Sequence, residues 1–182
     1  RPITLMIPVN LRNYFPSQSM GNFFGWIEVG YKFEESTTFE QLLQSVKDQF
    51  KEKLQKDRIA MDMNGYVRLE KNPFIRAVPL EIKRYFLIAG ANLGGRSITA
   101  VYSNIGILKF PPEYKTYIDR FGIFASTNSL QVCSCSYEDQ FVVDFTSKIP
   151  DDRIQKNFVR MLKEEGISCK EEKNEFPGCG EK

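Results

Sequence analysis

The sequence contains no histidine. That absence removes the imidazole general base, the Ser–His and Cys–His nucleophile pairs and every His-ligated zinc site. G-x-S-x-G, S-x-x-K and P-loop motifs are missing too. Acid–base chemistry carried out by this stretch alone is not expected. No apolar run approaches the ~18 residues of a membrane-spanning helix, and no signal peptide is visible at the N-terminus. There is no Asn-x-Ser/Thr sequon and there are only four cysteines, which together predict a reducing, cytoplasmic setting. The chain starts at Arg1 inside a strand-like pattern, so it reads as a piece of a longer one.

A charge of one sign is also lacking. The 25 Lys+Arg and 23 Asp+Glu leave a net charge of +2, with the signs interspersed as in Lys47-Asp48 and Lys51-Glu52-Lys53. Such a surface has no basic stripe to release counterions from nucleic acid, and no nucleic-acid partner is expected.

What is present suffices for a globular core. With 182 residues, 42% of them apolar, and 15 Phe, folding buries roughly 70% of the unfolded surface. Ile3, Leu5, Ile7 and Val9 alternate as on a strand over 3–10, where Pro8 demands an edge or a bulge. A loop over 11–23 leads to a second strand at about 24–33. The period then changes to 3.6, with Phe39, Leu42, Leu43, Val46, Phe50 and Leu54 on one stripe, and Thr37 and Glu40 stand at capping-box spacing. Further helices are predicted over 57–72 and over 79–90, the latter stopping at GANLGG (90–95). Strands follow at 96–105, 121–127, 130–137 and 140–147, the last three as a meander of antiparallel hairpins. A helix over 151–165 is capped by Asp151 or Asp152, buries Ile154, Phe158, Met161 and Leu162, and ends at Gly166. A short strand at 167–172 closes the domain, and 173–182 is a tail. The order predicts an α+β fold, an α/β sandwich with a mixed, largely antiparallel sheet flanked by helices.

Several residues invite a functional and a plain reading. GANLGG follows a helix, so the negative end of the dipole faces it, and a cap and turn fits better than a phosphate nest. Cys133 and Cys135 share a strand face. With Cys169 and Cys179 they could offer four sulfurs, but the spacing matches no common zinc site and small-residue packing is favoured. The FPGCG of the tail is like half a zinc knuckle with Phe176 in place of its first Cys. Trp26, beside Phe23, Phe24 and Tyr31, suits either core or the wall of a ligand tunnel. Ser103-Asn104 serves either local backbone amides or a ligand. Ser147-Lys148 reads as an exposed turn rather than a base with a lowered pKa.

Two stretches carry a resemblance. IPVNLRNYFPSQSMGNFFGWIEVGY (7–31), together with VYSNIGILKFPPEY (101–114) leading to FVVDFTSKIPDDRIQKNFVRMLKEEGI (141–167), resembles the C-terminal half of bacterial alcohol O-acetyltransferase-like proteins. These belong to the chloramphenicol acetyltransferase-like superfamily, which also includes condensation domains. The resemblance covers residues 1–172, in order. It implies a two-half enzyme whose H-H-x-x-x-D signature, holding the catalytic His, lies in an N-terminal half. This chain would line the acyl and thioester tunnel, with no catalytic residue, no metal and no tightly bound cofactor of its own. The counterpart of the signature segment here reads D-F-T-S-K-I-P-D-D (144–152). Acyl-CoA and an alcohol acceptor are the implied substrates. Asn22, Trp26, Ser103, Asn104 and Gly106 are the implied tunnel residues, while Arg12 either holds the 11–23 loop or meets a phosphate. The exposed half-interface would allow self-association. Two other readings share the fold: a non-catalytic binding or scaffold module, and half of an amide-forming condensation domain.

Overall fold

A computed structural model describes residues 2–95, 97–125 and 129–173; within it nothing is stated of the side chains of Tyr66, Leu69, Glu70 and 91–95. The chain divides into two compact units, 1–148 and 149–182.

The first unit holds a five-stranded sheet in the order β2-β1-β3-β4-β5. Strand β1 (Ile3–Asn10) pairs antiparallel with β2 (Phe24–Tyr31) along its whole length, Ile7 facing Ile27. On its other side it runs parallel to β3 (Ala100–Leu108), but only Leu5 and Met6 find partners there. Strand β4 (Leu130–Tyr137) lies parallel to β3, and β5 (Gln140–Thr146) closes the sheet antiparallel to β4. The fold is therefore α+β with a mixed sheet, as the element order predicts.

Pro8 illustrates how long-range pairing decides a local question. Strand β1 is internal rather than an edge, and it is not bulged at Pro8. Thr99 N–H donates to the Thr4 carbonyl and Thr4 N–H to Thr99 Oγ1, so the backbone of Thr4 faces β3. With a period of two, the nitrogen of Pro8 faces the same way. The parallel ladder has ended by then, so the missing N–H breaks no hydrogen bond.

Helix α1 (Phe39–Lys53) covers one face of β1 and β2. Ile7, Ile27 and Val29 are buried there against Leu5, Val9, Val46, Phe50, Leu54 and Tyr102. The capping box sits one residue later than the sequence spacing suggests. Thr38 Oγ1 accepts from Gln41 N–H and the Gln41 side chain returns to Thr38 N–H, while Thr37 closes a turn by accepting from Glu34 N–H. Gln satisfies the box as well as Glu does, and the Thr-Thr pair leaves the register to the turn before it. Edge strand β2 is blunted by α1 itself. Gln49 accepts from Gly30 N–H and donates to Gly30 C=O, and Lys53 donates to the Glu28 carbonyl. An edge so occupied offers little to another chain.

Helix α2 (Lys56–Lys71) is followed by a short α3 (Pro73–Ala77), which the sequence reading missed. Asn72 caps α3 through Phe74 N–H, with Pro73 in the first turn where its lost donor costs nothing. Helix α4 (Leu80–Gly95) runs through GANLGG instead of stopping before it. A helix interior penalises glycine by only about 1 kcal/mol, and propensity alone does not end one.

Two predicted strands do not form among the described residues. Residues 121–125 cross over the sheet instead of joining it, since Ile123 N–H is taken by Asp144 Oδ2 at 2.7 Å. The rings of Phe110 and Phe121 stack there at 4.7 Å, both edge-on to Tyr137. The meander thus reduces to one hairpin, turned at Glu138-Asp139 with Glu138 at φ 52°. Residues 126–128 lie outside the described residues. Residues 167–172 pair with no strand either, and a strand exists only through its ladder.

The second unit contains α5 (Arg153–Glu164). Asp151 rather than Asp152 supplies the N-terminal side-chain acceptor, taking Arg153 N–H at 3.0 Å. Gly166, at φ 80°, closes the C-terminus: its N–H reaches Lys163 C=O, and Ile167 N–H reaches Leu162 C=O. Phe158 and Leu162 are half-buried, whereas Ile154 and Met161 are exposed, so the expected buried face is only partly realised.

Candidate functional site

A cleft lies where β2 meets the end of α1 and the first half of α2. Its volume is about 280 Å³. Val9, Leu11, Ile27, Ile59 and Met63 give it an apolar lining, with Trp26 alongside; Glu28, Lys53, Arg58 and Asp62 supply its polar groups.

Each wall follows from local sequence. Asn10 Oδ1 accepts from Arg12 N–H and starts a 3-10 turn over Leu11–Asn13, which buries Leu11 almost completely. On α2, Ile59 and Met63 stand four residues apart on one face, as do Arg58 and Asp62, the latter pair at 3.9 Å. Gly25 keeps the floor low, since a Cβ there would stand 3.4 Å from Leu11 Cδ2 and 3.5 Å from Met63 Sδ. Trp26 sits opposite Pro8 and remains 44% exposed, so its ring is a rim and not a core residue.

The residues implied by resemblance do not all converge here. Trp26 lines the cleft. Asn22 stands exposed in the loop before β2. Ser103, Asn104 and Gly106 lie on β3, in mid-strand and not at its end, where the register with β4 slips between Asn104 and Gly106. This bulge explains the S-N-I-G sequence. Asn104 Oδ1 accepts from Gly106 N–H at 2.8 Å, and Gly106 adopts φ 81°, which glycine reaches without strain. The amide oxygen of Asn104 is thereby committed, leaving its nitrogen for any ligand. Arg12 donates to the carbonyls of Ser19 and Gly21, both at 2.7 Å, and lies over the Phe23 ring; it holds the loop. Lys53, Arg58, Ile59, Asp62 and Met63 were not singled out from the sequence. The paired i,i+4 spacings on α2 were the available signal.

Cys133 and Cys135 are buried on β4, packed as small apolar residues. Burial pushes the Cys135 thiol up from its ordinary value, helped by the nearby Asp144 carboxylate, and it donates to the Phe121 carbonyl. A thiol so raised is a poor nucleophile. No cluster of metal-ligating side chains occurs among the described residues, and Cys179 with the FPGCG segment lies outside them. Among the described residues no helix is long and apolar enough to cross a membrane.

The arrangement can therefore bind, but it holds no activated nucleophile or imidazole base. Comparison with family models, with curated proteins and with solved structures finds no match to this chain.

Proposed function

We propose that this chain is the C-terminal half of a coenzyme A-dependent alcohol O-acyltransferase, forming a wall of the chamber in which an acyl thioester meets an alcohol. The carrying observation is the cleft at Trp26, with apolar walls, two cations and two carboxylates among its polar groups, and no histidine anywhere in the chain. An acyl chain suits Val9, Leu11, Ile59 and Met63, whereas Lys53 donates to the Glu28 carbonyl and Arg58 pairs with Asp62, so a nucleotide phosphate would have to displace those partners to meet either cation. The order of the V-N-L-R, G-N-F and S-N-I-G segments supports the same reading. The proton-accepting histidine would come from an N-terminal half; such a base typically contributes about 100- to 10,000-fold in rate.

Acyl-CoA turnover tests this directly. The 182-residue chain should bind acyl-CoA without esterifying an alcohol, and Trp26→Ala should weaken that binding about fivefold in calorimetry. Joined to its upstream half, the protein should turn over and should lose activity when the second His of H-H-x-x-x-D is changed to Ala. Turnover by the chain alone, or an upstream half without that signature, would refute the enzymatic reading. The scaffold alternative predicts no acyl-CoA binding in either form.

A further inference from the structure

The two edges of the sheet are finished differently. At β2 the outward backbone is occupied by Gln49 and Lys53. At the other edge, among the described residues, β5 pairs with β4 alone. The hairpin sets which groups of β5 face outward. Tyr137 and Gln140 flank a two-residue turn and exchange hydrogen bonds, and the alternation repeats this at Val142 and Asp144. The N–H and C=O of Phe141 and Val143 therefore point away from β4. Among the described residues no other hydrogen bond reaches either of them.

The usual guards of an open edge are missing as well. QFVVDFT (140–146) contains no proline, lysine or glycine, and three of its residues are Phe or Thr beside two Val, all strong strand formers. Its one charge, Asp144, is turned over the sheet toward Ile123 N–H. Phe141 stands 63% exposed.

We propose that β5 pairs antiparallel with β5 of a second copy, joining the two sheets into one. Phe141 of each copy faces Val143 of the other, so the open donors and acceptors satisfy one another. Val142 then faces Val142 across the two-fold axis, and Asp144 faces Gln140, so no like charges meet. The strand is complementary to itself in this register, as a two-fold contact requires. Because the β2 edge is closed, an open edge finds its match only in another β5, and the pair stops at a dimer instead of running on into a fibre. The proposal does not rest on the acyltransferase reading.

Amide exchange and sedimentation velocity of the 182-residue chain test it. Sedimentation should show a monomer–dimer equilibrium, and exchange at the Phe141 and Val143 amides should slow as concentration rises while the β4 ladder is unchanged. Phe141→Lys should raise the dimer dissociation constant about tenfold; the position is exposed, so far-UV circular dichroism should show the fold retained. Gln140 is exposed too and checks the register. Gln140→Lys meets Asp144 of the other copy and Gln140→Glu repels it, which should separate their dissociation constants about tenfold. A chain that stays monomeric leaves the edge to a strand of a different protein and overturns the proposal. Association that Phe141→Lys does not weaken, or that leaves both amides exchanging as before, assigns the contact to another surface and overturns it too. Equal constants for the two Gln140 variants overturn the register.

Discussion

The corner built from β1, β2 and α1 and the pair α3–α4 are both rich in apolar residues, yet they end in opposite states. At the corner the pattern is periodic. Alternate residues of β1 and β2 meet every third or fourth residue of α1, so Ile7, Ile27 and Val29 disappear from solvent. Even the outer backbone of β2 is occupied, by Gln49 and Lys53. On α4 the apolar residues are not confined to one face, so no single neighbour could cover them. One region is finished within the chain, and the other leaves Tyr85, Phe86 and Leu87 in water.

Truncation of one side chain in each region is the sharpest way to break this comparison. Ile27→Ala should cost about 2–4 kcal/mol in urea unfolding, by lost transfer energy and a cavity. Leu87→Ala should stay within about 0.5 kcal/mol, because it already stands in water. Equal effects would mean that α4 is packed within the chain after all.

A smaller effect should come from the crossing segment. Asp144 accepts from Ile123 N–H, and its Oδ2 would lie 3.1 Å from any Cβ at Gly122. Asp144→Ala should cost about 1–3 kcal/mol by stranding a partly buried donor, and amide exchange should rise at 121–125. Unchanged exchange there would show that the stack of Phe110, Phe121 and Tyr137 holds the segment unaided.

The smallest effect belongs to the second unit. The Arg153 side chain holds the Asp151 carboxyl below its ordinary value of 3.8, and Lys156 does the same for Asp152. Carboxylates lowered in the folded state stabilise it above their unfolded pKa, and that contribution fades as pH falls through the lowered values. The start of α5 should therefore be unchanged at mildly acidic pH and fray only below the ordinary carboxylate range. Both groups face water, so high salt should weaken the effect. Fraying by neutral salt-free buffer alone would contradict the assignment; it would be read from amide signals at 153–156.

Much of the architecture was legible in the sequence because it rests on local periodicity. The α1 stripe, the hairpin of β4 and β5, the Gly166 stop and the α+β order all follow from spacing within a few residues. The site was less legible. Trp26 could be singled out, but its companions Lys53, Arg58 and Met63 reach it from helices that only the fold brings alongside β2. Ser103, Asn104 and Gly106 were implied as tunnel residues by the resemblance, and the fold adds that S-N-I-G also forms a bulge, which asks for the same small, polar residue types.

The sequence by itself determined that no imidazole is present and where α1, α5 and the strands β1, β2, β4 and β5 form, since composition and period are properties of neighbours along the chain. Tertiary structure alone decided that β1 is internal, that Pro8 falls where the parallel ladder has stopped, and that 121–125 spends its backbone on Asp144. Those outcomes depend on hydrogen bonds between residues far apart in the chain. A backbone donor takes whichever partner the fold brings within reach, and no local pattern names that partner.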